Sequence, residues 1–275
     1  MTRLSTAAQA PVRLLDSLSE QMRFYVLSIR WVPRTLMRYR KEVVRLLAEV
    51  SLGTGALTVV GGTVGVLGFL AFFTGSQVGL QGYSALDQLG TGAFAGFVSA
   101  YLNTREIAPL VAGLALAATV GCGFTAQLGA MRISEEVDAL EVMGVPSLPF
   151  LVTTRMIAGF VAVIPLYVVG LLSSYAATRF IVTEYFGQSQ GTYDHYFQLF
   201  LPPEDILWSF GKVLIFAIVI IGIHCYYGYT ASGGPAGVGV AVGRAVRTSI
   251  VAINIVDFFV SLAIWGATTT VRIAG

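Results

Sequence analysis

Four carboxylates fall within seven residues of the run Ser-Glu-Glu-Val-Asp-Ala-Leu-Glu-Val-Met-Gly-Val-Pro at 134–146: Glu135, Glu136, Asp138 and Glu141. The stretches on either side are apolar, so carboxylates this dense belong in water or against a basic partner. Ser134 is placed to cap a helix, and Glu135 and Glu136 fall in a first turn where the macrodipole favours negative charge. Gly144 and Pro146 stop that helix. At about 100° per residue, Glu135, Asp138 and Glu141 share one broad face, with Val137, Ala139, Leu140 and Met143 spread over the other. Two readings stay open at this point: a rigid helix received by a basic groove, or a capped connector lying in solvent.

A second set of charges lies where charge is expensive. Arg105-Glu106, followed by Ile107-Ala108-Pro109, interrupts an apolar stretch, and Asp257 with Asn254 one turn earlier interrupts the last one. Ionisable groups in hydrocarbon face a partner or a cavity. The expectation is a buried polar network joining Arg105 to Glu106 or Asp257, the alternative being a structural charge pair near the interface. Other chemistry is thin. His195 beside Asp194 lacks a third group at useful spacing, which leaves surface hydrogen bonding. Cys122 and Cys225 sit in apolar surroundings without ligand spacing, so no metal site is expected. The glycine-rich stretch 233–239 has no Lys-Ser/Thr after it and no strand before it, and no Walker motif occurs anywhere. By this reading the chain is not an enzyme and binds no cofactor of its own.

The elements that must position these groups follow from composition. Of 275 residues, 55 % are hydrophobic and 12 % charged, and mean hydropathy is +0.75. A soluble domain carries roughly a quarter charged residues. The deficit, with apolar stretches near the roughly 20 residues a bilayer requires, predicts an all-α polytopic membrane protein. Residues 1–20 read as a polar, flexible segment without a cleavable signal peptide. Residues 21–50 read as a basic amphipathic helix lying in the headgroup layer, with Arg23, Arg30, Arg34, Arg38, Lys41 and Arg45 along one face and Pro33 interrupting it. Residues 51–275 read as a single transmembrane domain with five spans at about 51–74, 89–118, 149–179, 206–229 and 248–271, and small residues at 119–130 extending the second. The loops 75–88 and 180–205 are poor in Lys and Arg, while 131–148 and 230–247 carry them or border them. That asymmetry places the N-terminus in the cytoplasm, the C-terminus outside and the acidic helix inside. Glycine seams at Gly61-Gly62, Gly65 and Gly68, at Gly92 and Gly96, and at Gly121 and Gly123 suit close helix packing.

Several motifs together resemble the MlaE/YrbE permease family, the membrane subunits of ABC-type lipid transporters associated with Mce proteins. They are Leu80-Gln81-Gly82-Tyr83, Arg105-Glu106-Ile107-Ala108-Pro109, Thr125 to Arg132, Glu135 to Gly144, the 233–239 loop leading to Ala245-Val246, and Asp257. The likeness spans roughly residues 45–270 and is nearest to the actinobacterial (mycobacterial) YrbE branch, B-type member of an A/B pair. It implies an interfacial N-terminal helix, five transmembrane helices, and a coupling helix at about 134–144 docking into a separate ATPase, which would hold ATP and Mg. On that resemblance Glu135, Glu136, Asp138, Leu140, Glu141 and Met143 are the coupling contacts. It also implies a bacterial inner-membrane location, Mce proteins outside the membrane, a lipid substrate and no nucleic-acid partner.

Two positions depart from the family pattern. Where many members have an Arg in a Gly-Arg-x-Gly stretch, this chain has Ala118-Thr119-Val120-Gly121, and Gln127 stands where Glu commonly follows Thr-Ala. The loss of both charges favours a heterodimer whose other permease supplies them, with Thr119, Gly121, Phe124 and Gln127 lining the shared lipid cavity. Competing expectations are an ion-coupled secondary transporter using Arg105, Glu106 and Asp257 as a proton relay, and a non-transporting scaffold subunit. Against the first, no inverted repeat is visible.

Overall fold

The computed structural model describes residues 19–52 and 62–266. Expectations placed on 1–18, on Gly61 and the rest of 53–61, and on 267–271 lie outside the described residues. Three helices come first: α1 at 19–30, α2 at Val32–Arg38 and α3 at Arg40–Leu52. The break before α2 follows from Pro33 in its first turn, where the missing N–H is not needed. Five longer helices follow, each apolar enough to cross a bilayer: α4 (Thr63–Gln88), α5 (Gly92–Ile133), α7 (Leu148–Tyr185), α9 (Pro203–Tyr229) and α10 (Gly234–Trp265). Two short helices interrupt them, α6 (Glu136–Val142) and α8 (Gln190–Leu199). Among the described residues no strand occurs.

The spans start and end elsewhere than composition suggests. Residues 75–88, expected as a loop, are the second half of α4. Their polar groups are uncharged except Asp87, and hydroxyls in this helix, Thr74 and Ser76, bond back to carbonyls four residues earlier. The expected loop 230–247 shrinks to a turn at Thr230–Gly233, because the glycine-rich stretch enters α10. The expected loop 180–205 holds π-helical turns at Ile181–Tyr185 and then α8. The small-residue stretch 119–130 does continue the second span. At about 1.5 Å per residue, the 42 residues of α5 reach about twice the roughly 30 Å hydrocarbon core. π-Helical turns at Ser99–Ile107 and Ala117–Gly121 interrupt its regular winding.

Contacts fix the direction of each span. Gly68 faces Val169, Gly75 faces Ser174 and Gly79 faces Ile181, so α4 and α7 run parallel. Their approach needs glycine: a Cβ at Gly75 would lie 2.5 Å from the Ser174 carbonyl oxygen. Asn103 bonds Thr178 while Gln127 bonds Arg155, so α5 runs opposite to α7. One end of the bundle therefore gathers α1–α3, α6 and the start of α10, and the other gathers α8 and the end of α10. The innermost side chains, Tyr167, Phe216, Ile220 and Leu128, place α9 at the centre. By contrast α4 and α10 turn most of their apolar windows outward, 22 % and 11 % buried.

Candidate functional site

The acidic helix α6 is anchored on the core by two residues and leaves the rest exposed. Val137 is buried and Leu140, one turn on, packs against the core from a half-buried position. Glu135, Glu136, Asp138, Glu141 and Met143 are exposed, as is Val142. Leu140 falls with Val137, as the division of faces expects, but Ala139 and Met143 of that same face are exposed, because the protein's own core lies beneath only Val137 and Leu140. Ser134 is not the N-cap: its Oγ donates to Ala130 O at 2.9 Å and closes α5. Glu135 occupies the cap position instead, at φ 63°, the one described non-glycine residue with positive φ. The stop signals behave as expected, with Gly144 left-handed at φ 73° and its N–H donating to Glu141 O. Arg132 Nη1 donates to Asp138 Oδ1 at 2.7 Å, and Ser147 Oγ donates to Glu141 Oε1 while meeting Tyr229 Oη at 2.8 Å. Side-chain bonds thus tie α6 to α5 and, through Ser147, to α9, two of the five spans.

The intramembrane charges are brought together at the opposite end, in pairs the sequence did not foretell. Arg105 Nε and Nη2 donate to Asp205 Oδ2 at 2.9 and 2.7 Å, and Trp265 Nε1 donates to Asp205 Oδ1 at 2.9 Å. The guanidinium lies 4.1 Å from the Tyr101 ring centroid. Glu106 and Asp257 turn to Lys212, whose Nζ donates to Glu106 Oε2 at 3.0 Å, to Ser261 Oγ at 2.7 Å and to Arg105 O at 2.8 Å, and lies 2.6 Å from Asp257 Oδ1. The bond to Arg105 O has a local cause. Pro109 lacks the N–H that a regular helix would direct to that carbonyl, and the buried ammonium takes it over. Ser261 Oγ donates onward to Glu106 Oε1 at 2.8 Å.

The expected direct joining of Arg105 to Glu106 or Asp257 is therefore replaced by a network with two cationic centres. Asn254 stands apart: its amide donates to Ile250 O and faces outward. Sequence reasoning missed Asp205, Lys212 and Trp265. A signal was present, since Lys212 is the one Lys or Arg between 203 and 229 and lies seven residues after Asp205, on the same helical face.

A third polar locus lies near the α6 end. Thr119, Phe124 and Gln127 line a groove of about 340 Å³ with Glu49 and Thr63. Gln127 bridges charges, donating to Glu49 Oε1 at 2.8 Å and accepting from Arg155 Nη2 at 3.3 Å. Gly121, expected beside them, is elsewhere. It faces His224, where a Cβ would lie 2.7 Å from the ring. That histidine, unremarked in the sequence, is fully buried, with Thr125 Oγ1 at 2.8 Å from Nδ1 and Ser249 Oγ at 3.3 Å from Nε2. On the α8 side His195 stacks edge-on with Tyr196, and its neighbour Asp194 pairs with Arg179. Burial pushes the hydroxyl of Tyr193, in α8, up to about 12.

Comparison with known proteins adds an independent finding. The family model described as Permease MlaE matches residues 53–263. A probable ABC transporter permease protein of Rickettsia bellii is 29 % identical over 196 residues, 71 % of this chain and 76 % of that protein. The chloroplastic protein TRIGALACTOSYLDIACYLGLYCEROL 1 of Arabidopsis thaliana is 31 % identical over 199 residues, 72 % of this chain and 57 % of that protein. A probable ABC transporter permease protein of Synechocystis sp. is 33 % identical over 158 residues, 58 % of this chain and 60 % of it.

Proposed function

Because the chain belongs to the MlaE permease family, we propose that it is the permease subunit of an Mce-associated lipid transporter whose power stroke comes from a separate ATPase. The observation that carries the reading is α6: a short helix anchored through Val137 and Leu140, tied to α5 and α9, and presenting four carboxylates with Val142 and Met143 outward. A basic cleft on an ATPase, holding ATP and Mg, fits that surface by charge and by its apolar edge. Closure of the ATPases would push on α6, and the bonds to Arg132 and Tyr229 would pass the movement to α5 and α9. This places the α6 end in the cytoplasm of a bacterial inner membrane and the C-terminus outside, in line with the distribution of Lys and Arg.

A lipid substrate agrees with the outward apolar faces of α4 and α10 and with the name of the Arabidopsis relative, which contains a glycerolipid. Those faces would meet a second YrbE-type permease around a lipid cavity beneath the Mce proteins. A heterodimer is favoured by Thr119 and Gln127, uncharged where family members commonly carry Arg and Glu. Reversing two carboxylates, Glu135→Arg with Asp138→Arg, is expected to abolish co-purification with the ATPase. A complex that forms unchanged would end the coupling assignment.

One observation favours a second reading. Lys212 and its carboxylates form a buried ionisable group within the spans, the kind of site an ion-coupled carrier uses. Transport that survives removal of the ATPase and collapses with the proton gradient would replace the first reading with this one.

A further inference from the structure

Among the described residues several cations at the α6 end form no ion pair, and three arginines of this group are consecutive along one face. Arg30, Arg34 and Arg38 follow one another at four-residue spacing along α1 and α2, all exposed, and none forms an ion pair with a described carboxylate. The arginine further along behaves differently: Arg45 grips Glu42 and, with that hydrogen bond as the main cause, holds its carboxyl below the usual range. Beside the unpaired arginines the fold leaves a cleft of about 530 Å³ between α2 and the turn that ends α6, lined by Trp31, Arg34, Thr35, Arg38, Gly144 and Pro149. Arg30 and Arg34 line an adjoining hollow of about 450 Å³ across Trp31.

We propose that this cleft is a binding site for the phosphate headgroup of an anionic phospholipid, separate from any transported lipid. Guanidinium forks suit phosphate oxygens, and Arg34 and Arg38 both line the cleft. Arg34 already leans on the Trp31 ring, 5.4 Å from its centroid, which fixes one fork without consuming its donors. A lipid, rather than an acidic protein segment, is favoured by what surrounds the charges. Met37 lines the cleft at 81 % exposure, and Met22, Val26, Ile29 and Leu36 are exposed along the same two helices. Arginines interleaved with outward apolar side chains are the pattern of a helix seated in anionic headgroups, where acyl chains cover the apolar positions. The site goes beyond coupling and transport, and its test needs neither activity.

The experiment uses the full chain with its partner subunits in phosphatidylcholine nanodiscs, titrated with phosphatidylglycerol and read by native mass spectrometry. Arg34→Gln with Arg38→Gln should weaken phosphatidylglycerol binding roughly 10- to 30-fold. Arg34→Lys with Arg38→Lys, which keeps both charges and removes the forks, should weaken it several-fold, and Arg247→Gln on α10 should change it less than twofold. Equal binding by the wild type and the double arginine variant would overturn the proposal. So would displacement of the lipid by inorganic phosphate at low millimolar concentration, which would mark a site for soluble phosphate. Loss of ATPase co-purification in the arginine variant with lipid binding intact would overturn it too, and would make the cleft a protein dock.

Discussion

The two ends of the bundle treat charge in opposite ways. At the α8 end Arg105, Asp205, Glu106, Lys212 and Asp257 are folded inward and held by one another, with Lys212 fully buried. At the α6 end Glu135, Glu136, Arg34 and Arg38 are exposed and largely free of one another. Charges withdrawn from water must be satisfied within the chain, since an uncompensated one costs several kcal/mol. Those left in water are available to another molecule at little cost. The first end is thus built to hold spans in register, and the second to be met.

Substitution should separate the two ends sharply. Lys212→Met leaves Glu106 and Asp257 facing each other without their cation, and is expected to destabilise the protein by about 3–5 kcal/mol. The check is thermal unfolding in nanodiscs, where Lys212→Met with Asp257→Leu should recover part of the loss. A Lys212→Met melting curve matching the wild type would erase the distinction between the ends. Next in size, Arg179→Gln removes a pair that is bidentate but exposed, with Asp194, and should cost about 1 kcal/mol or less in the same assay. An effect as large as that at Lys212 would mean that exposure is a poor guide here.

The smallest effect concerns pH. The Tyr193 hydroxyl is raised by burial to about 12, above the ordinary value of about 10. Its protonated form therefore contributes stability that is fully present below about pH 10 and fades as pH rises toward 12. Tyr193→Phe should flatten that alkaline decline, as read by proteolysis of the α8 region across this range. An unchanged pH profile in Tyr193→Phe would place the titrating group elsewhere.

The pattern of success in reading the sequence has physical causes. The number of spans and the acidic helix were legible because hydropathy and helix stop signals are local. Span limits were less so: 75–88 looked like a loop since glycines and uncharged polar residues resemble one, and only the facing surface of α7 makes Gly75 and Gly79 helical packing positions. Arg105, Glu106 and Asp257 were visible as charges out of place, yet their pairing was not, because partners on different helices, distant in sequence, are chosen by tertiary contact. Ser134 has the ideal residue type for an N-cap and was overridden by the tight turn at Glu135. Val137, Ala139, Leu140 and Met143 read as one apolar face, yet only Val137 and Leu140 meet the core and Met143 is exposed, because hydrophobicity does not say whether the surface a side chain seeks is its own or a partner's.

The position of Lys212 also bears on biogenesis. When α9 is synthesised, the carbonyl and carboxylate of Arg105 and Glu106 already exist, 107 and 106 residues behind it, whereas Ser261 comes 49 residues later. A nascent chain halted before α10 therefore carries a lysine in the bilayer with only part of its final coordination, and Asp257 and then Ser261 complete it. The last helix thus acts as a completion mark: without it Lys212 keeps the Arg105 carbonyl and Glu106 but lacks Asp257 and Ser261.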